Sequence, residues 1–325
     1  MLRISLKTWL IDSNLLGFIN LPPAPIPPPH PIVIYYPMFT FKDFLSKYPD
    51  DKACLRDIVR RKGLRCCGKL YYLKKRPVVL CSKCKKQYSP LVGTIFERST
   101  TPLTSWFYAI YLMTSTKHGV PAAELQRQLG VTYKCAWRIG HKIREVMMPP
   151  VERFRGKVEI DETFVGGKSA NRASKWYSRA KQKKQIVLGI MSRDDKQIKP
   201  IHVPNLSWTL TNFIRTQVKP FSTLFTDQLL SYKSLPKFGY RHYSINHKYR
   251  FVKGNVHTQN VENFWSHLKR GITGVYRSVS SKHLQAYANE FAYRYNHRDK
   301  DMFPLLLKNC LEKPQEELPP DLRFD

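Results

Sequence analysis

The stretch Lys157-Val158-Glu159-Ile160-Asp161-Glu162-Thr163-Phe164-Val165 alternates apolar and polar residues with the period of a β-strand. Successive strand side chains point to opposite faces. Val158 and Ile160, with Glu162 in the same series, therefore fall on one face, and Glu159, Asp161 and Thr163 on the other. Acids on the face opposite the apolar residues are what a metal site on a sheet requires. Residues 185–191 and 198–203 read as the next two strands, 209–218 as a helix, and 222–226 as a short strand running straight into Asp227. The pattern predicts an α/β domain over residues 151–310.

A third acid, Glu262, lies in 256–270, which reads as a helix. Asp227 follows Asp161 by 66 positions and Glu262 follows Asp227 by 35, so a first strand, a fourth strand and a later helix bring three carboxylates within range of one point. Hard cations such as Mg²⁺ prefer oxygen ligands, and two of them roughly 3.5–4 Å apart activate an attacking oxygen while stabilising a leaving one. Glu162 is the rival acid. Regular alternation sends it away from Asp161, which predicts a supporting role. Lys269, two helical turns beyond Glu262 on the same face, reads either as a phosphate contact or as a solvated cation.

Working toward the N-terminus, Pro149-Pro150 ends a helical region over residues 101–150 and marks a boundary. There 105–116 reads as an aromatic-rich helix, Pro121 to Leu129 as a second, Gly130-Val131-Thr132 as a turn and 133–147 as a third helix carrying Lys134, Arg138, Lys142 and Arg144. Helix, tight turn and basic helix are the pattern of a helix-turn-helix that enters a major groove, although ordinary helical hairpins share the spacing.

Residues 38–100 hold Cys66, Cys67, Cys81 and Cys84, four of the seven cysteines. The pair Cys81-x-x-Cys84 after the β-rich Val78-Val79-Leu80 is one knuckle of a zinc ribbon. The adjacent Cys66 and Cys67 lack the spacer that normally lets two thiolates converge, so a Zn²⁺ site and a metal-free or three-thiolate remnant both stay open. Residues 43–61 suit a short helical pair leading into the cysteines. Residues 1–37 are Pro-rich and predict a disordered extension, with Met38 an alternative start; 311–325 form a tail.

Charge restricts the partner. Lys and Arg total 55 against 24 acids, a net +31 spread along the chain, which argues for a polyanion and most simply for nucleic acid. No apolar run approaches the roughly 20 residues of a membrane-spanning helix, and Asp12 interrupts any secretory signal. Gly166-Gly167-Lys168 reads as a turn rather than a phosphate-binding loop. The basic segment after it, with Arg172, Lys175 and Trp176, suits tracking of a DNA backbone.

In combination these motifs resemble the DDE transposases of bacterial insertion sequences with an N-terminal zinc ribbon, the ISXO2-like group, whose eukaryotic relatives are the Merlin elements. The resemblance rests on 160–168, on Thr226-Asp227 with Tyr232-Lys233, on Asn246-His247, and on 257–270 with Val261-Glu262-Asn263-Phe264-Trp265. It continues through 271–276 and 291–298, and upstream through 93–98. It implies an RNase H-like catalytic domain, a mixed sheet flanked by helices, in which Asp161, Asp227 and Glu262 hold Mg²⁺ or Mn²⁺. The reaction it implies is strand cleavage at transposon ends followed by attack of the freed 3′-hydroxyl on target DNA. The implied partners are double-stranded terminal inverted repeats and target DNA, with at least two protomers on the DNA; by the chain's own pattern the expected DNA contacts are Lys134, Arg138, Lys142, Lys168, Arg172, Lys175, Lys269 and Arg270. The compartment would be the nucleus in a eukaryote and the cytoplasm in a bacterium. A domesticated copy that keeps the fold as a DNA-binding protein, and an RNase H-like nuclease acting on hybrids or junctions, are the rival readings.

Overall fold

Strand β4 (Lys157–Val165) is the axis of a five-stranded sheet, and its nine residues span the alternation read from the sequence. On one side it pairs antiparallel with β5 (Gln185–Ser192), which pairs antiparallel with β6 (Ile198–Val203). On the other side β7 (Thr223–Thr226) and then β8 (Arg241–Ser244) run parallel to it. The spatial order β6-β5-β4-β7-β8 makes a mixed sheet, and β4 is where antiparallel gives way to parallel pairing.

The computed structural model describes residues 39–73, 76–148, 152–166, 184–203, 209–245 and 256–312. The Pro-rich extension, the basic segment with Lys168, Arg172 and Lys175, Asn246-His247 and the tail beyond 312 lie outside the described residues.

Alternation along β4 feeds two cores. Val158 and Ile160 pack with α6 (Thr209–Gln217) and with a 3₁₀ segment, Leu230–Phe238, on one face. Val165, with Val187 and Met191 of β5, packs on the other face against α7 (Gln259–Gly271) and α8 (Ser281–Asn296). The apolar residues of α7, Val261, Phe264, Trp265 and Leu268, recur at helical spacing and form its buried stripe. The far edge, β6, is covered by α8: the Gln285 side chain accepts from the His202 amide at 2.7 Å, and that of Asn296 accepts from the Ile198 amide at 2.8 Å.

The N-terminal region builds a third core. Helices α1 (Phe41–Lys47) and α2 (Asp51–Arg61) are each capped by the residue before them, Thr40 in a reciprocal capping box with Asp43 and Asp50 through the Ala53 amide. A small antiparallel sheet follows, β1 (Leu70–Tyr72), β2 (Val79–Cys81) and β3 (Gln87–Tyr88). Then come α3 (Leu103–Ser115), α4 (Ala122–Leu129) and α5 (Tyr133–Glu145). Pro121 stands at the N-cap of α4, and Gly130 at its C-cap adopts φ +63°, a left-handed conformation that glycine tolerates best and that makes the tight turn into α5. The last helix, α9 (Met302–Cys310), packs into this same core through Phe303, Leu306, Leu307 and Cys310.

Candidate active site and candidate metal centres

The site is assembled where β4 meets α7. Glu159, fully buried, accepts hydrogen bonds from the backbone amides of Asn260 (3.1 Å) and Val261 (3.2 Å) and from the Asn260 side chain (2.7 Å). These are first-turn amides that have no acceptor within the helix, so the carboxylate acts as a cap from across the sheet. Arg193 donates to Glu159 at 2.7 Å and to the His257 carbonyl at 2.6 Å, and its guanidinium lies 3.9 Å from the centre of the Phe225 ring. The N-terminus of α7 is thus fixed to the strand that carries Asp161.

Two residues on, Asp161 pairs across the ladder with Gly189. A Cβ at Gly189 would lie 2.6 Å from Trp265, so the missing side chain is what lets the indole lie flat on the sheet. From there the Trp265 indole N–H donates to Asp161 at 2.9 Å. Glu159, Asp161 and Gly189 together set how α7 meets the sheet.

The parallel register pairs Glu159 with Phe225, and continuing it two residues brings Asp227 beside Asp161. Asp227 lies just past the end of β7, where its carboxylate accepts from the Leu229 amide at 2.9 Å. Carboxylate oxygens of Asp161, Glu162 and Asp227 lie within 4.8 Å of one another. The expectation that Glu162 stands apart therefore needs correcting. Its contact does follow alternation, since it accepts from the buried Tyr232 hydroxyl at 2.8 Å on the 3₁₀ side of the sheet, yet its carboxylate joins the cluster. Glu262 is not part of that group. It is exposed in the first turn of α7 and accepts from the Thr258 hydroxyl at 2.7 Å.

Burial and crowding show in the acidities. Burial, with the charges of Asp227 and Glu262 added, pushes Asp161 up to about 6 against the Trp265 hydrogen bond. Burial, then Asp227 and Asp161, push Glu162 up to about 7. Carboxylates that resist ionising together, with only oxygen donors, match a hard divalent cation such as Mg²⁺ or Mn²⁺. Beside them opens a cavity of about 420 Å³ lined by Asp227, Leu230, Lys233, His242 and Ser244.

The second candidate centre is the cysteine cluster. Sulfurs of Cys66, Cys67, Cys81 and Cys84 lie within 4.8 Å of one another, with Cys66 to Cys84 at 3.3 Å and Cys67 to Cys81 at 3.8 Å. Adjacency of Cys66 and Cys67 does not prevent convergence. Gly68 follows them, and a Cβ there would fall 2.6 Å from the Ser82 hydroxyl, so the chain can close tightly on the Cys81–Cys84 turn. The Cys84 and Lys83 backbone amides pull the Cys81 thiol down to about 6, and the Tyr88 hydroxyl, 3.1 Å from Cys66, lowers that thiol as well. Hydrogen bonds with Cys84 and Cys81 push Cys67 up to about 12. Four sulfurs in a closed group, two of them biased toward thiolate, match Zn²⁺.

Of the residues expected on DNA, Lys134 and Arg138 are exposed on α5, where the Arg138 guanidinium lies 5.9 Å from the Trp106 ring centre. Lys142 pairs with Glu145 at 2.7 Å. Lys269 and Arg270 are exposed on α7. Arg144, read from sequence with the groove-facing cations, is instead buried. It pairs with Glu290 of α8 at 2.6 Å, and Arg294 pairs with the same carboxylate at 2.8 Å. Its partner lies 146 residues away, so no local pattern signals the pairing. Glu159 was missed as a functional residue too, and its only signal was its place on the Asp161 face.

Residues 153–296 match the ISXO2-like transposase domain. The chain is 34% identical over 98 residues to an uncharacterized transposase-like protein of Haemophilus influenzae, covering 30% of this chain and 79% of that protein. It is 25% identical over 229 residues to an uncharacterized protein in transposable element ISH50 of Halobacterium salinarum, covering 66% of this chain and 77% of that one. Among solved structures, 52% of this chain aligns with 63% of a chain in the simian T-cell lymphotropic virus intasome bound to PP2A regulatory subunit B56 gamma. At 13% identity and a TM-score of 0.28, that likeness carries no argument. Among the described residues no helix is long and apolar enough to cross a membrane. The matched domain, reinforced by a relative covered over most of its length, places the chain in the family of ISXO2-like insertion-sequence transposases.

Proposed function

We propose that this protein is a DNA transposase whose mixed sheet is RNase H-like, cutting transposon ends and joining the 3′-hydroxyl to target DNA. The observation that carries the reading is the convergence of Asp161, Asp227 and Glu162 at the switch from antiparallel to parallel pairing, flanked by Glu262 on a helix anchored to the same strand. Asp161, Asp227 and Glu262 would hold Mg²⁺ or Mn²⁺, with Glu162 the neighbouring fourth carboxylate. Such ions neutralise charge on the scissile phosphate and activate the attacking oxygen.

In the first step the oxygen of water adds to the phosphorus as the bond to the 3′-oxygen breaks, and that oxygen leaves as the 3′-hydroxyl, taking up a proton. In the second that hydroxyl attacks a target phosphorus and displaces a target 3′-hydroxyl, so the bonds made and broken balance with no enzyme-linked intermediate. The chain positions these reactants. Trp265 orients Asp161, the Leu229 amide orients Asp227, and Glu159 holds the helix that carries Glu262. Lys233 and Lys269 are placed to meet phosphates. Lys134 and Arg138 of the α4–α5 helix-turn-helix, and Lys168, Arg172 and Lys175 of the basic sequence after β4, would contact duplex DNA. The four cysteines would hold a structural Zn²⁺, and two protomers would hold two ends.

The test is Mg²⁺- or Mn²⁺-dependent cleavage of DNA carrying the gene's own flanking ends. Asp227→Asn and Glu262→Gln should each lower cleavage by roughly a thousandfold or more, several kcal/mol of transition-state stabilisation, while binding persists. Glu162→Gln should retain measurable cleavage. Loss with Glu162→Gln and retention with Glu262→Gln would exchange their roles, and binding without cleavage by the unsubstituted chain would make it a retired enzyme.

A further inference from the structure

A second cleft, of about 900 Å³, opens along α7 on the flank turned away from Glu262. Asn260, Asn263 and His267 line it at helical spacing, whereas Glu262 and Lys269 project from a different side of the helix. Its opposite wall is the end of α3 with Lys117, and its rim includes Lys196 in the β5–β6 turn. None of these residues holds the carboxylate cluster.

The chemistry of the lining is mixed in an informative way. Lys117, Lys196 and Arg298 are exposed cations, and among the described lining residues Asp299 is the one acid. Phe291, Tyr295 and Met302 supply an apolar wall between them. The Arg298 guanidinium lies 4.6 Å from the Tyr295 ring centre and donates to the Tyr295 carbonyl at 2.6 Å, so cation and ring form one fixed, flat platform. Among the described residues the amide of Asn263 and the ammonium groups of Lys117 and Lys196 have no hydrogen-bond partner.

A bare phosphate would use the cations but not the apolar wall or the amide. A duplex is too wide for a cleft of this size, which falls in the range of roughly 300–1,000 Å³ typical of small-ligand sites. A segment of a second copy is disfavoured by the net charge of +31 that both copies carry. What uses all three features is a nucleotide: an anion, a flat ring and a hydrogen-bonding edge.

We propose that the cleft receives one unpaired nucleotide of a bound DNA strand. Its base rests on the Arg298–Tyr295 platform with an edge toward Asn263, and its phosphate meets the Lys117 and Lys196 rim. The proposal rests on the DNA reading above and adds to it a site that recognises strand distortion rather than duplex form.

Fluorescence anisotropy of the full chain with two short duplexes of one sequence tests it, one fully paired and one with a single bulged nucleotide. The bulged duplex should bind roughly tenfold tighter, the scale set by stacking one base. Asn263→Leu and Arg298→Ala, both at exposed positions, should each bring that ratio to near one while leaving fully paired binding within about twofold. A ratio near one in the unsubstituted chain, or a ratio unchanged in both variants, overturns the proposal. Free deoxyadenosine monophosphate should not abolish the preference; if it did so at a concentration comparable to the DNA, the cleft would be a site for free nucleotides and the proposal would fail. Failure to bind either duplex at low salt would sink the DNA reading itself, whereas equal binding of both removes only this site.

Discussion

The cysteine cluster and the carboxylate cluster are both groups of metal-ligating atoms within 4.8 Å, yet they are built in opposite ways. The sulfurs come from two short chain segments closed by tight turns, and backbone amides and a tyrosine already bias two of them toward the charged form. The carboxylates come from strands far apart in sequence, and burial with mutual repulsion biases Asp161 and Glu162 toward the neutral form. A closed set of four soft ligands suits an ion that stays and holds a fold together. An open set of crowded oxygens suits one that binds less tightly and leaves room for a substrate.

The sharpest way to break this contrast is to remove one sulfur. Cys81→Ser should eliminate a zinc signal of one ion per chain in elemental analysis and collapse amide-exchange protection across 66–88, because a structural zinc contributes folding energy of several kcal/mol or more. Mg²⁺ binding at the carboxylates should survive. Absence of zinc from the unsubstituted protein would end the comparison on the sulfur side.

A smaller effect is expected where the second cluster depends on close approach. Gly189→Val forces a side chain into the space of Trp265 and Val261, which should cost about 1–3 kcal/mol of stability and shift the indole fluorescence as its bond to Asp161 is lost. An unchanged melting temperature and spectrum would mean that α7 does not need that contact.

The smallest effect concerns pH. Asp161 and Glu162 are weaker acids in the folded chain, so between about pH 4 and pH 7 it binds more protons than the unfolded one. Their ionisation opposes folding, so the metal-free protein should lose stability as pH rises through that window, by a few degrees in melting temperature. Mg²⁺ should restore more at pH 8 than at pH 5, and Glu162→Gln should flatten the slope. A Mg²⁺ effect equal at both pH values would show that the carboxylates do not hold the ion.

What could be read from the sequence was local. The alternation from Val158 to Val165 gave the strand and the face of Asp161, and the caps and turn around Gly130 gave the α4–α5 pair. Long-range pairing was hidden. The amides capped by Glu159 lie about a hundred residues on, and the arginine read as facing a groove is neutralised by Glu290. The place of Glu162 escaped because alternation tells which way a side chain leaves the strand, not where a flexible carboxylate ends beside a neighbour that has just left the sheet. Strand β8, with four residues, is too short for any period to register.

The return of α9 to the first core has a consequence in time. Phe303, Leu306 and Leu307 complete a cluster begun at Phe44, so the core shared by α3, α4 and α5 is finished only once α9 has left the ribosome. At synthesis rates of roughly 5–20 residues per second, the wait between Met147 and Phe303 is on the order of ten seconds or more. A product truncated before α9 would leave the Phe44 and Tyr48 rings without Phe303 beside them, exposing apolar surface that favours aggregation.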